Sequence, residues 1–150
     1  MSWIYTVDKG IKDSSSGQSI DFDSGRDDLR HLLNFDPLKN TGRFDSEDSY
    51  ENINGTEDWL RLSFDKEERL REIEILSGTI YLDDKEIRIE GDLIKTIKQL
   101  EKLGTKFIEN DYGFVSPEFK FDLGDSEKTG GDDNKISWFY STTNIDHLLS

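Results

Sequence analysis

The side chains in this sequence that could carry chemistry are mainly carboxylates. The 150 residues include 33 acidic and 19 basic residues, which give a formal net charge of −14, together with two histidines and no cysteine. The lack of cysteine excludes a thiol nucleophile, a disulfide framework and a zinc site built on thiolates. Carboxylates can act as general acids and bases, as ligands of hard cations, or as a negative surface for a basic partner.

The sequence by itself assigns no catalytic partner to either of the two histidines. His31 falls within a predicted helix, roughly opposite its apolar face, and His147 falls in a terminal segment. Neither has an evident base, nucleophile or orienting group, and no serine lies in a G-x-S-x-G elbow. The sequence therefore favours a protein that is not an enzyme. A carboxylate-dependent hydrolase is the alternative, because glycosidases need only two carboxyl groups roughly 5–9 Å apart.

Two short oxygen-rich runs resemble fragments of cation sites. Residues 21–25 carry two carboxylates two positions apart before a glycine, and residues 132–134 are Asp-Asp-Asn. The first run lacks the third ligand and the closing glutamate of an EF-hand. Walker A and Rossmann fingerprints are absent. We expect no metal and no cofactor, while binding of calcium to an acidic loop stays open.

The acids are concentrated in two stretches that we predict to be loops. Residues 44–58 contain six acids and no base, and residues 122–133 contain five acids against Lys128. Either stretch could simply keep a loop solvated. Patches of one sign also steer an oppositely charged partner, and aromatic residues among them supply buried anchors. The candidate partner-binding residues are Phe44, Asp45, Glu47, Asp48, Tyr50, Glu51, Glu57, Asp58, Asp122, Asp125, Glu127, Asp132 and Asp133.

The net charge also indicates which partners to exclude. Direct nucleic-acid binding needs lysine and arginine to displace counterions from phosphates, and anionic membranes attract basic segments. The amino terminus has no basic region followed by an apolar one, and no apolar run approaches the ~20 residues of a membrane span. We expect a cytoplasmic protein with a basic protein partner.

Hydrophobic periodicity predicts two helices. The first covers about residues 26–34, with Ser24 as its N-cap. The second follows Asp92, a good N-cap, and ends before Gly104. Its predicted apolar stripe consists of Leu93, Ile94, Ile97, Leu100 and Leu103.

Alternating apolar residues predict strands through the rest of the chain. They cover residues 3–7, 20–22, 59–64, 70–76, 79–82, 85–89, 106–109, 113–115, 119–123 and 135–140. The four strands over residues 59–89 predict an antiparallel meander, while residues 9–17 predict a turn or mobile loop and residues 124–134 a flexible hairpin loop. Together these elements predict one α+β domain over residues 1–150, mostly antiparallel, with both helices packed on one face of the sheet.

The order of several sequence blocks resembles a known class of proteins. The blocks are residues 24–33 (SGRDDLRHLL), 60–64, 70–76, 91–97 (GDLIKTI) and 113–119 (GFVSPEF). Their order is similar to that in small acidic immunity proteins of bacterial polymorphic toxin and contact-dependent growth inhibition systems. The resemblance implies a protein that binds a cognate toxin domain, often a basic nuclease, and blocks its active site. A phage-encoded nucleic-acid mimic or anti-defence protein is the alternative binding function.

Overall fold

The computed structural model describes residues 2–51 and 59–149. In this part of the chain, strands and helices follow one another as β1 (Ser2–Thr6), β2 (Gly10–Asp13), β3 (Ser19–Asp21), α1 (Arg26–Leu32), β4 (Glu47–Glu51), β5 (Trp59–Phe64), β6 (Leu70–Ile75), β7 (Thr79–Leu82), β8 (Lys85–Arg88), α2 (Leu93–Lys102), β9 (Ile108–Glu109), β10 (Gly113–Ser116), β11 (Phe121–Asp125) and β12 (Ile136–Thr142), and a 3-10 turn at Asp146–Leu148.

The strands form two sheets. The five-stranded sheet has the order β3-β2-β1-β7-β8, and the seven-stranded sheet has the order β4-β5-β6-β12-β11-β10-β9. All pairs within the seven-stranded sheet are antiparallel. In the five-stranded sheet, β1 runs parallel to β7, with Tyr5 opposite Leu82, and antiparallel to β2, with Tyr5 opposite Ile11.

Each sheet buries one face in a common core. In β5, Leu60, Leu62 and Phe64 are buried and alternate with half-buried residues, as the two-residue period of a strand requires. The same cluster contains Trp3 and Ile80 from the five-stranded sheet. The alternating pattern therefore encodes two apolar faces that pack against each other.

Aromatic side chains join the two sheets. The ring of Tyr5 makes edge-to-face contacts with Phe121 and Phe139, with centroid distances of 6.0 and 5.1 Å. Its hydroxyl donates to the carbonyl oxygen of Phe119 at 2.5 Å and accepts from the hydroxyl of Ser141 at 2.9 Å. Tyr5 thus fills the core with its ring and satisfies its polar end within it.

The two helices begin differently. The Asp92 side chain caps α2 by accepting from the backbone N–H of Lys95 at 2.9 Å, as predicted. After α2, Gly104 has a φ of 97°, a conformation that glycine adopts without steric cost. The predicted cap at Ser24 is wrong, because Gly25 is the N-cap of α1 and no side chain caps that end.

The apolar face of α2 is narrower than predicted. Leu93, Ile97 and Leu100 are buried, whereas Ile94 is 43% and Leu103 59% exposed. The buried residues lie at i, i+4 and i+7, which is a single narrow stripe on a helix. Within the described residues, no helix has the length and hydrophobicity needed to cross a membrane.

The α+β class and the mostly antiparallel pairing are confirmed, but the predicted meander over residues 59–89 is wrong at its centre. Strand β5 pairs with β6, and β7 pairs with β8. Strand β7 then joins β1 in the other sheet. The two-residue period specifies which face of a strand is buried and leaves the neighbouring strand unspecified.

Two segments predicted to be loops contain strands. Within residues 9–17, Gly10–Asp13 forms β2. A Cβ at Gly10 would lie 2.1 Å from the carbonyl oxygen of Ile20, so the glycine is required by a close backbone approach. Within residues 44–58, Glu47–Glu51 forms the edge strand β4. Its buried positions include two acids, which conceal the usual apolar alternation.

Candidate functional site

The outer face of the seven-stranded sheet, turned away from the shared core, carries polar and aromatic side chains. They occupy the alternate positions between the buried apolar residues of β5, β6 and β12. The strand register places Arg61 beside Glu74, Glu74 beside Tyr140, and Tyr140 beside Asp122. One continuous row of ionisable groups therefore crosses four strands, because side chains at paired positions share a face.

A cavity of about 220 Å³ opens on this face, and we call it the outer-face cleft. It lies over β4, β5, β6 and β12, and the segment before β4 contributes to it. Its lining residues are Arg43, Phe44, Ser46, Glu47, Arg61, Ser63, Glu72, Glu74 and Tyr140. A cavity of this size is smaller than a typical small-molecule site of roughly 300–1,000 Å³, so it suits a single side chain or a comparably small group.

Ion pairs use both arginines of the outer-face cleft. Arg43 Nε lies 3.1 Å from Glu47 Oε2, and Arg61 Nη1 lies 3.0 Å from Glu74 Oε1. Arg61 Nε also lies 3.4 Å from Glu47 Oε1. Glu47, whose side chain is 1% exposed, is thereby held between two guanidinium groups. Burial of this carboxylate is tolerable because its charge is paired.

Glu72 is the third carboxylate of the outer-face cleft. It accepts a hydrogen bond from the Tyr140 hydroxyl, which itself lies 3.3 Å from His147 Nε2. Burial raises the pKa of Glu72, and the nearby His147 opposes that increase. No lysine or arginine within residues 2–51 and 59–149 forms an ion pair with Glu72.

A second group of charges lies where β4 meets α1. Asp48 is fully buried and is contacted by two arginines of α1, with Arg26 Nη2 at 2.7 Å and Arg30 Nη2 at 2.8 Å. Arg26 also contacts Glu68 at 3.0 Å. Burial would raise the pKa of Asp48, but the hydrogen bonds from Arg30 and Arg26 outweigh it and hold that pKa below 3.8. This arrangement links the helix to the sheet edge.

Asp122 is buried on the outer face in β11 and is 5% exposed. It accepts from the indole N–H of Trp138 at 2.9 Å. Burial raises the pKa of Asp122 to about 7, with the indole opposing the shift and the charge of Glu74 adding to it. The indole lies close above Gly124, where a Cβ would stand 2.4 Å from Trp138 Cδ2. Glycine is therefore needed there for the indole to reach the carboxylate.

Two loops meet at one end of the seven-stranded sheet to form a surface that we call the acidic tip. Its members are Glu109, Asp111, Tyr112, Asp125, Glu127, Asp132 and Asp133. The backbone N–H of Asp125 donates to the carbonyl oxygen of Tyr112 at 2.8 Å, and Lys128 Nζ contacts Glu109 Oε1 at 3.2 Å. Residues 109–112 and 125–134 contain six acids and one lysine.

The acidic tip also presents apolar surface. Tyr112 is 62% exposed, and Ile108 in the adjoining strand β9 is 46% exposed. Among the acids, Asp125 is half-buried and its carboxylate accepts from the backbone N–H of Glu127 at 3.0 Å, which orders the turn. The remaining acids of the tip are exposed. The tip therefore combines a strong negative charge with an accessible aromatic ring.

The structure separates the predicted partner-binding residues into three groups. Asp125, Glu127, Asp132 and Asp133 come together in the acidic tip. Phe44 and Asp45 are exposed before β4, and Glu51 is exposed at its end. Glu47, Asp48, Tyr50 and Asp122 are buried, and Glu57 and Asp58 lie outside the described residues.

The expectation that the acids of residues 44–58 are uncompensated is wrong for Glu47 and Asp48. Four arginines neutralise these two carboxylates: Arg26, Arg30 and Arg61, which are distant in sequence, and Arg43, which lies four residues before Glu47. Asp122 lies in β11, in agreement with the predicted strand over residues 119–123, so its assignment to the acidic loop over residues 122–133 is wrong. Local composition could not show this, because charge compensation depends on which strands and helices meet.

Sequence reasoning missed Glu72, Glu74, Tyr112 and Tyr140. For the first two, a usable signal existed. Glu72 and Glu74 alternate with Ile73 and Ile75 in β6, which places both carboxylates on the face opposite the core. No comparable signal identifies Tyr112, because its exposure follows from the meeting of two loops.

Within the part of the chain that the structure describes, no group of three or more histidine, aspartate or glutamate residues is arranged to hold a metal ion. Comparisons with protein-family models, with curated proteins and with solved structures return no match. The functional inference therefore depends on the chain's own residues.

Proposed function

We propose that this chain is a cytoplasmic immunity or inhibitor protein that binds a basic toxin domain, a nuclease being the best candidate, and neutralises it by covering its active site. The observation that carries the proposal is the acidic tip, where two loops joined by the Asp125–Tyr112 backbone hydrogen bond present exposed acids and the exposed ring of Tyr112. The order of sequence blocks described above supports the same class of function.

The charge of the acidic tip suits a basic partner. A nuclease cleft is positive because it must hold phosphates, and a compact group of carboxylates is attracted to such a cleft over a distance of about 8–10 Å at ordinary salt. Electrostatic attraction of this kind raises association rates well above those of neutral surfaces. The acidic tip would therefore be drawn to the substrate-binding region of the toxin.

The exposed aromatic ring suits close contact after that encounter. Tyrosine is enriched among the residues that dominate binding energy, because a large rigid ring loses little conformational entropy on burial. Tyr112 lies on the turn between β9 and β10, which the contact with Asp125 supports from the neighbouring hairpin. A supported aromatic residue that shares an exposed surface with several acids is the arrangement expected of an interface anchor.

The test is inhibition of the toxin domain encoded by the neighbouring reading frame. We expect the purified chain to abolish its nuclease activity at equimolar ratio and Tyr112→Ala to weaken binding about thirtyfold, as for an interface hot spot. The double variant Asp132→Asn/Asp133→Asn should slow association and reduce its salt dependence.

A matched control is the double variant Asp83→Asn/Asp84→Asn, which makes the same charge change at another exposed turn, between β7 and β8. It should inhibit like the unmodified chain. Equal inhibition by both double variants and by Tyr112→Ala would remove the acidic tip from the interface. Absence of inhibition by the unmodified chain would overturn the proposed function.

A further inference from the structure

The outer-face cleft contains one carboxylate whose charge no arginine or lysine of the described chain offsets. Glu47 and Glu74 use Arg43 and Arg61 as ion-pair partners. Glu72 lines the same cavity and is half-buried. Among the residues that line the cavity, three glutamates and two arginines carry one excess negative charge when all are ionised; His147 is near Glu72 but does not line the cavity.

The surroundings of Glu72 favour a planar cation. Tyr140, whose hydroxyl donates to Glu72, and Phe44, which is 65% exposed, both line the cleft and offer aromatic surface for stacking. Ser46 and Ser63 line it as well, and their hydroxyl oxygens can accept hydrogen bonds. A guanidinium group carries five N–H donors in a plane and stacks on aromatic rings, whereas an ammonium group does neither.

Arg43 illustrates the chemistry at the rim of the cleft. Its guanidinium carbon lies 5.5 Å from the centroid of the Phe44 ring while its Nε contacts Glu47. An arginine of this chain is thus already held at this rim between an aromatic ring and a carboxylate. The cavity beside it offers a second carboxylate, Glu72, together with the ring of Tyr140.

We propose that the outer-face cleft is a receptor site for one arginine side chain, supplied by the basic partner. The source of the arginine depends on the proposed function above, but the affinity of the cleft for a guanidinium group does not. In the complex, the carboxylate of Glu72 accepts from the guanidinium, and the rings of Tyr140 and Phe44 shield it from water.

The test is an amide NMR titration of the ¹⁵N-labelled chain with N-acetyl-arginine methylamide, and with the uncharged, isosteric N-acetyl-citrulline methylamide as control ligand. We expect saturable shifts of the amides of Glu72, Glu74 and Tyr140 with the arginine compound alone. The dissociation constant should be on the order of 10 mM, because one charged contact is made without the rest of a partner.

Two variants test the site without depending on a single folded mutant. Glu72→Gln keeps an oxygen for the Tyr140 hydroxyl and should weaken arginine binding about tenfold or more. Ser63→Arg, at the position paired with Glu72 on β5, should block the cleft with an internal guanidinium. Glu101→Gln, an exposed position on α2, makes the same charge change as Glu72→Gln and should leave binding intact.

The outcomes separate this proposal from the proposed function. Absence of localised shifts, or equal shifts with citrulline, overturns the arginine site even if the toxin is inhibited. If Glu72→Gln weakens arginine binding and Glu101→Gln preserves it, the site is supported. If Glu72→Gln also inhibits the toxin less tightly than Glu101→Gln does, the result supports the toxin as the source of the arginine. Equal inhibition by both variants would show that the toxin does not supply it.

Discussion

Asp48 and Asp122 are two buried carboxylates on the same sheet with opposite surroundings. Asp48 lies in the edge strand β4, faces the core side and is contacted by Arg26 and Arg30 at 2.7 and 2.8 Å. Asp122 lies in β11, faces outward and has the Trp138 indole as its hydrogen-bond donor. The pKa of Asp48 is therefore lowered, whereas that of Asp122 is raised to about 7.

The difference shows that burial alone does not decide whether an ionised carboxylate stabilises or destabilises the fold. A buried carboxylate that is paired with cations links two secondary-structure elements. The pair becomes destabilising when one partner is removed, because the other is left as an uncompensated charge. A buried carboxylate without a cation is costly whenever it is ionised. At neutral pH, the ionised carboxylate of Asp48 therefore stabilises the β4 end of the sheet, whereas ionisation of Asp122 destabilises the β11 region.

The largest expected effect comes from breaking the arginine pairing. Asp48→Asn should destabilise the protein by about 4 kcal/mol at pH 7, because Arg26 and Arg30 lose the carboxylate between them. Since the pKa of Asp48 is lowered on folding, its stabilisation is present above pH ~4 and is lost as pH falls below that value. Urea unfolding of the unmodified chain and of Asp48→Asn from pH 3 to 8 measures the loss of stability and its dependence on pH.

The control for this change is Asp45→Asn, an exposed acid three residues earlier, which should alter the free energy of unfolding by under about 0.5 kcal/mol. Equal effects of the two substitutions would show that the arginines around Asp48 contribute no more than a surface charge.

The second prediction has the opposite sign. Asp122→Asn should stabilise the protein at pH 8 by about 4 kcal/mol, because the neutral amide keeps an oxygen for Trp138 and removes the cost of ionisation. Since folding raises the pKa of Asp122 from 3.8 to about 7, native stability should fall as pH rises through that interval. The gain from the substitution should disappear near pH 4.

Unfolding curves of both proteins at pH 4, 6 and 8 provide the measurement. A gain that is independent of pH would mean that the substitution acts through packing and not through ionisation of Asp122.

The third prediction concerns the single indole donor. Trp138→Phe should destabilise the protein by about 1.5 kcal/mol at pH 8, since an ionised carboxylate loses a hydrogen bond. In the Asp122→Asn background the loss should be smaller, because the acceptor is neutral. A double-mutant cycle at pH 8 measures this coupling, and a coupling of zero would contradict a contribution of the Trp138–Asp122 hydrogen bond.

The smallest effect is expected at an exposed ion pair. Glu86→Gln breaks a contact to Arg88 of 3.0 Å in which both side chains are at least 44% exposed, and it should cost under about 0.5 kcal/mol. Thermal unfolding at low and high salt is the measurement. A loss similar to that of Asp48→Asn would refute the distinction between buried and exposed pairs in this protein.

Much of the fold was predictable because local patterns are strong in it. The alternation in β5 and β6, and the cap at Asp92, identify strands and a helix at nearly their observed bounds. The strand β4 was not predictable, since its buried residues include Glu47 and Asp48. The acids of residues 125–133 were predicted as one group, but their meeting with Glu109, Asp111 and Tyr112 was not.

The sequence alone determined the acidity, the lack of thiol chemistry, the α+β class and most of the strands and helices. These properties depend on composition and on periodicities of a few residues. Only the tertiary structure decided which acids are neutralised, which are buried without a cation and which remain exposed beside Tyr112. Coulomb interactions and desolvation depend on distance in space, and Asp48 and Arg26 are separated by 22 positions along the chain yet lie 2.7 Å apart.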